Sequence, residues 1–173
     1  MQKKYYTGLF RMLTAVMAFC SFTTVWAVTE VHVEKAGTLS SLLTTTDSEL
    51  KLTGSINGTD VKYLRQLIND GTVTILDISE VKIVSGGVAY VESLKTTADV
   101  IGEDMFRDCK KLRSIVLPTS ISSIARRAFM NTGLRRAEIP NNVQRLGYGA
   151  FSDCTMLATV VIGKKMAHIE QGT

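Results

Sequence analysis

Residues able to do chemistry are few in this chain of 173 residues, and they are scattered. The two histidines, His32 and His168, have no cysteine or carboxylate at ligand spacing beside them. Zinc and similar ions need three or four such groups converging on one point. Asp60 and Asp77 stand alone, whereas general acid–base catalysis needs groups within hydrogen-bond reach of one substrate. Gly147-Tyr148-Gly149-Ala150 has the look of part of a phosphate loop. Asn57-Gly58-Thr59 fits a glycosylation acceptor, although Asn-Gly is first a turn signal. None of these assembles into a nucleophile, an acid–base pair or a ligand set. The sequence therefore predicts no enzyme, no metal site and no cofactor.

What the last third of the chain does contain is repetition. Residues 101–123 read IGEDMFRDCKKLRSIVLPTSISS, 124–145 read IARRAFMNTGLRRAEIPNNVQR, and 146–168 read LGYGAFSDCTMLATVVIGKKMAH. An apolar residue opens each unit (Ile101, Ile124, Leu146), and a phenylalanine follows five positions later (Phe106, Phe129, Phe151). Self-similarity at a period in the low twenties marks a solenoid whose units bury apolar surface only against their neighbours. The glycines of 147–150 align with 102–105 and 125–128, so they are repeat framework. Leu112-x-x-Ile115-x-Leu117, Leu134-x-x-Ala137-x-Ile139 and Leu157-x-x-Val160-x-Ile162 each end in a period-two alternation. That alternation predicts a short strand with Ile115 and Leu117 inward. Ser114 and Val116, Arg136 and Glu138, and Thr159 and Val161 then point outward, and they form the candidate binding face. Pro118 and Pro140, the only prolines, follow their strands and lack an amide hydrogen to extend a ladder.

With Ile101, Phe106, Cys109, Leu112, Ile115, Leu117, Pro118 and Ile121 in place, the first unit resembles the BspA-like leucine-rich repeats of bacterial surface proteins. It departs from commoner leucine-rich repeats at the asparagine-ladder position, which holds Ser120 in the first unit and Lys165 in the third. Residues 37–88 resemble the segment that often precedes these repeats. The resemblance implies an α/β-type repeat solenoid with short parallel strands, a convex side mostly of loops and turns, and a helix-bearing N-terminal cap. It also implies a cell-surface or secreted role in adhesion, with a protein or glycan on host or neighbouring cells as partner.

The repeat also fixes an expectation for the thiols. Cys109 and Cys154 hold the same position two units apart, roughly 9–10 Å at the usual strand spacing. A disulfide needs Cα atoms within about 7 Å, so both are expected to be buried, free and there for packing.

The N-terminus reads as an address. Lys3, Lys4 and Arg11 precede the apolar stretch MLTAVMAFCSFTTVWA, which ends in Val25-Trp26-Ala27. Positive charge, a short apolar core and a small residue before the cut predict a signal peptide over 1–27, cleaved after Ala27. The stretch is about 16 residues long, below the roughly 18 or more of a spanning helix. No other segment is long and apolar enough to span. Lipidation at Cys20 is the lesser alternative, because Phe19 stands where a small residue is expected. The segment takes three positive charges with it, so the formal +4 becomes +1. Basicity is therefore no argument for nucleic acid. Residues 28–100 carry an acidic excess and 101–173 a basic one, with Arg126, Arg127, Arg135, Arg136 and Arg145 close in sequence. A solvated face is the simplest reading of that cluster.

Residues 28–100 read as the cap and irregular repeat-like region. Thr38–Leu43 is a short helix candidate, Leu50–Ile56 a strand, and Asp60 the N-cap of a helix closed by Gly71. Val73–Ile78 returns as a strand, and 85–100 forms an excursion or short hairpin. Residues 101–173 hold three units and the start of a fourth at Ile169. Val160, Val161 and Ile162 should then lie on an under-protected strand, open to self-association. The chain thus reads as an exported binding module acting through its strand face. The alternative is a structural spacer, or a fragment of a longer array, with no ligand of its own. Intact mass of the protein recovered from an exporting bacterium should begin at Val28; a mass starting at Met1, or one carrying lipid on Cys20, contradicts the cleavage.

Overall fold

The computed structural model describes residues 27–44 and 46–173, so the export segment and Cys20 lie outside the described residues. The cap starts with a strand that the sequence pattern does not announce, β1 (Val28–Val33), followed by the single-turn helix α1 (Leu39–Leu42). Next come β2 (Glu49–Ile56) and the 13-residue helix α2 (Gly58–Asp70). The α2 N-cap is Asn57, whose side chain accepts from the Thr59 amide at 2.9 Å. Asp60, expected as the cap, sits three residues further in and reaches back. Its buried carboxylate accepts from the amides of Asn57 (2.9 Å), Gly37 (2.5 Å) and Leu39 (2.9 Å). One side chain thus closes a capping box and ties the α1 loop to α2, which fixed backbone donors make favourable for an anion. Val61, Leu64 and Ile68 form the fully buried face of α2. Gly71 ends the helix at φ 84°, a left-handed turn that a side chain resists.

The chain returns as β3 (Ile75–Ile83), then makes an antiparallel hairpin of β4 (Gly86–Val91) and β5 (Leu94–Thr96). The hairpin packs on the start of α2, where Thr59 Oγ1 accepts from the Val88 amide at 3.1 Å. Gly58 permits that approach, since a Cβ there would lie 2.3 Å from the Val88 carbonyl oxygen. Two basic side chains then clamp the cap onto the first repeat. Arg65 donates to the carbonyls of Asp104 (3.0 Å) and Met105 (2.9 Å), and Lys111 donates to that of Asp70 (3.0 Å) at the α2 C-terminus. The Tyr90 hydroxyl adds a bond to the Glu103 carbonyl at 2.8 Å; burial there pushes the phenol up to about 12.

Each repeat contributes two strands. One set is β7 (Ser114–Val116), β9 (Arg136–Glu138) and β11 (Thr159–Val161); the other is β6 (Val100–Ile101), β8 (Ser123–Ile124), β10 (Arg145–Leu146) and β12 (His168–Ile169). β1, β2, β3 and β7 form one parallel sheet, β9 pairs with β11, and β6, β8, β10 and β12 form a second parallel ladder. The side opposite the main strands is therefore not only loops. The opening residues Ile101, Ile124 and Leu146 pair in register there, although the second unit is one residue shorter, because the turn before Leu134 absorbs the difference. Between the ladders run tight turns whose left-handed residues recur at two positions per unit: Asp104, Arg127 and Gly149, then Asp108, Asn131 and Asp153.

Phe106, Phe129 and Phe151 stack as a column through the interior. Their ring centroids are 5.5 and 5.2 Å apart and the planes lie within 7° and 9° of parallel. Phe129 is sandwiched and fully buried; Phe151 has a phenylalanine on one side and is 7% exposed. Truncating Phe129 to Ala should cost about 3–5 kcal/mol, out of a total stability of about 5–15 kcal/mol. Phe151→Ala should cost less, and the two midpoints in a urea titration check the order.

Candidate binding surface

The strand face is larger than the repeats alone suggest. Register carries one outward row through Glu30, Lys51, Asp77 and Val116, and a second through Val28, Glu49, Ile75 and Ser114. β9 and β11 extend the rows with Glu138 beside Val161 and Arg136 beside Thr159. Of the face residues named from sequence, Val116, Arg136, Glu138, Thr159 and Val161 are exposed and Ser114 is half-buried. Glu30, Glu49, Lys51 and Asp77 went unrecognised because the cap strands lack the repeat spacing that identifies outward positions in 101–168. The face bends at β3, where the pairing shifts between Lys51 and Thr53, and the Ser79 amide donates to Asp77 Oδ1 at 2.8 Å.

A groove of about 530 Å3 crosses this face beside the bulge. Ser79 lines one end, then Ser114, Val116, Thr119, Arg136 and Glu138, with Val161 at the far side. Thr159, on the same face, does not line it. The groove follows a seam. β7 and β9 are neighbours, yet they form no ladder, and the Arg135 amide reaches the Arg113 carbonyl only at a long 3.4 Å. The second unit is one residue shorter before its strand, and at that turn a Cβ on Gly133 would lie 2.3 Å from the Lys110 carbonyl oxygen. The register itself is kept, since the Ala158 amide bonds the Arg135 carbonyl at 3.0 Å in the same step one rung on.

Charges on the face are largely matched. Lys51 Nζ lies 3.1 Å from Glu80 and 3.7 Å from Glu30, and the Glu80 hydrogen bond raises its pKa above the ordinary lysine value. Arg136 Nε donates to Glu138 at 2.7 Å. All of these partners except half-buried Lys51 are exposed, so the pairs orient side chains more than they stabilise the fold. Of the five arginines close in sequence, Arg126 pairs with Glu103, Arg127 with Glu103 and Asp104, Arg136 with Glu138, and Arg145 with Glu170. The Arg145 partnership lowers the Glu170 pKa. Only Arg135 of the five makes no ion pair among the described residues. The histidines stay apart: His32 hydrogen-bonds Thr53 at 2.8 Å, and His168 lies on β12. Among the described residues, no group of three or more His, Cys, Asp or Glu could hold a metal ion. No described helix is long and apolar enough to cross a membrane.

Residues 90–173 match a known family, the BspA type leucine rich repeat region, in six copies. That half of the chain is a BspA-type leucine-rich repeat region. No curated protein matches the chain. Solved structures that resemble it include a leucine-rich repeat protein from Bacteroides ovatus (25% identity, TM-score 0.41), covering 57% of this chain and 27% of that one. A leucine rich cell surface protein from Faecalibacterium prausnitzii is 22% identical with TM-score 0.41, covering 78% and 38%. The pneumococcal vaccine antigen PcpA is 13% identical with TM-score 0.36, covering 80% and 25%. The chain thus spans well under half the length of each of these proteins.

Both described thiols are free, but they differ. Cys109 is fully buried, whereas Cys154 is only half-buried, contrary to the sequence expectation. Thr132 takes the cysteine position of the middle unit, and Cys154 Sγ contacts its hydroxyl at 3.1 Å and the Phe129 carbonyl at 3.0 Å. Burial pushes the Cys109 thiol up to about 11 from 9.0. The neutral thiol is favoured when folded, so its stabilising share is complete below pH 9.0 and is lost as pH rises through about 11. Stability of the parent should therefore fall over that interval, and Cys109→Ala should flatten the fall in urea titrations run at successive pH values. Alkylation should label Cys154 before Cys109 in the native protein, with the two rates converging in denaturant.

Proposed function

We propose that this chain is an exported, non-enzymatic binding module that engages a protein or glycan on a host or neighbouring cell surface. The observation that carries the reading is the groove across the seam, which joins an apolar floor at Val116 and Val161 to the Arg136–Glu138 pair. Interfaces draw affinity from a few anchors, arginine prominent among them, set among groups that exclude water. Export rests on the N-terminal segment, and a role outside the cell suits a repeat whose sequence resembles those of surface proteins. Adhesion by a repeat coil is a matter of shape and polar pairing over an extended face rather than of an enclosed pocket.

The experiment is a screen of the exported protein against extracellular-matrix proteins and glycans, followed by titration of any saturable partner. Arg136→Ala combined with Glu138→Ala should weaken that partner about tenfold, the loss of a 1.4 kcal/mol contact, while leaving the melting temperature near the parent value. A spacer would give no saturable partner. A partner indifferent to the double variant places the site elsewhere on the coil.

A further inference from the structure

The repeats obey a charge rule that one position breaks. Where polar side chains stand on adjacent rungs, they complement each other: Arg126 above Glu103, Arg127 above Asp104, Asn131 donating to Asp108 at 2.7 Å, and Lys165 donating to Asn142 at 3.0 Å. Like charges directly opposite on neighbouring strands destabilise a sheet, which explains the rule. Arg113 and Arg135 occupy the same repeat position on adjacent rungs, each just ahead of its strand, and their backbones are joined by the 3.4 Å bond across the seam. Both are exposed and neither makes an ion pair among the described residues. Exposed Lys110 and Lys111 belong to the same turn. Lys111 is turned toward the Asp70 main-chain carbonyl, and the Asp108 carboxylate is engaged by Arg107 at 3.4 Å and by Asn131. Departures from a pattern that the rest of a fold keeps are where function is expected.

We propose that Arg113 and Arg135, flanked by Lys110, bind an acidic polysaccharide, with one carboxylate or sulfate group bridging the two guanidiniums. Neighbouring rungs lie about 4.8 Å apart, a span that a single oxyanion closes when each guanidinium offers its fork of donors. The occupant is a chain rather than a small ion because none of these residues lines the groove, so nothing encloses an isolated anion. It is a sugar chain rather than a nucleic acid because 110–113 and 133–136 hold no aromatic on which bases could stack. The site lies ahead of the strands, apart from the Arg136–Glu138 pair, and stands whether or not the groove has a partner.

The test measures binding of the whole exported protein to heparin, polygalacturonate, neutral dextran, single-stranded DNA and phosphatidylserine vesicles at several salt concentrations. Heparin and polygalacturonate should bind and dextran should not. Arg113→Gln with Arg135→Gln should weaken heparin at least tenfold and flatten the dependence of log affinity on log salt by about two, roughly one per cation removed. Lys164→Gln with Lys165→Gln removes the same charge elsewhere and should change affinity less than threefold. If the arginine pair variant unfolds, Arg135→Gln is compared with Lys164→Gln on the same scale. Equal losses in the arginine and lysine variants, or parent-like binding by the arginine variant, overturn the site. DNA or vesicles bound as tightly as heparin overturn the polysaccharide.

Discussion

Everything in the C-terminal half depends on one constraint: parallel, in-register stacking places each side chain against its own counterpart one rung away. At about 4.8 Å between rungs, identical flat rings can stack face to face, whereas identical charges repel. The phenylalanine column meets that condition inside the coil, with centroids 5.5 and 5.2 Å apart. The alternation Glu103–Arg126 and Asp104–Arg127 meets it outside. Position Phe+3 shows the same logic in miniature. Cys109, Thr132 and Cys154 are all small enough to share that column, and the middle hydroxyl meets the last thiol at 3.1 Å.

A stack of this kind needs a start, because its first rung would otherwise leave an apolar face open. The cap provides longer strands and a real helix at that end. α2 buries Val61, Leu64 and Ile68, and its N-terminal turn is organised by the single carboxylate of Asp60. Arg65 and Lys111 then satisfy carbonyls that the tight turns and the helix end leave free, which is why the cap and the first repeat share one continuous core. The hairpin covers the front of α2 through a contact that only a glycine at 58 allows.

The same stacking explains why the surface is uneven where it matters for recognition. A one-residue shortening before Leu134 brings Gly133 onto the Lys110 carbonyl and lets β7 and β9 part, and the groove lies over that seam. Irregularity in a repeat is thus the source of the local shape that a regular ladder lacks. Arg113 and Arg135 stand at the same seam, so the break in the ladder coincides with two stacked arginines that make no ion pair among the described residues.

The amino-acid sequence by itself determined the repeat unit, its inward and outward positions, and the aromatic column. These follow from spacing, and spacing survives translation from one rung to the next. It also determined α2 and its glycine stop, since caps and periodicity are local. The partnerships lay beyond it. Asp60 looked like an N-cap, yet its three amide partners come from two separate segments, which no local rule reveals. β1 and the ladder of β6, β8, β10 and β12 consist of an edge strand and two-residue strands, too short or too irregular for alternation to register. Five neighbouring arginines read as one basic cluster; only the fold showed three of them paired across rungs, Arg136 paired along its own strand, and Arg135 left beside Arg113. Charge pairing depends on which rung faces which, and that is a property of the coil rather than of the chain.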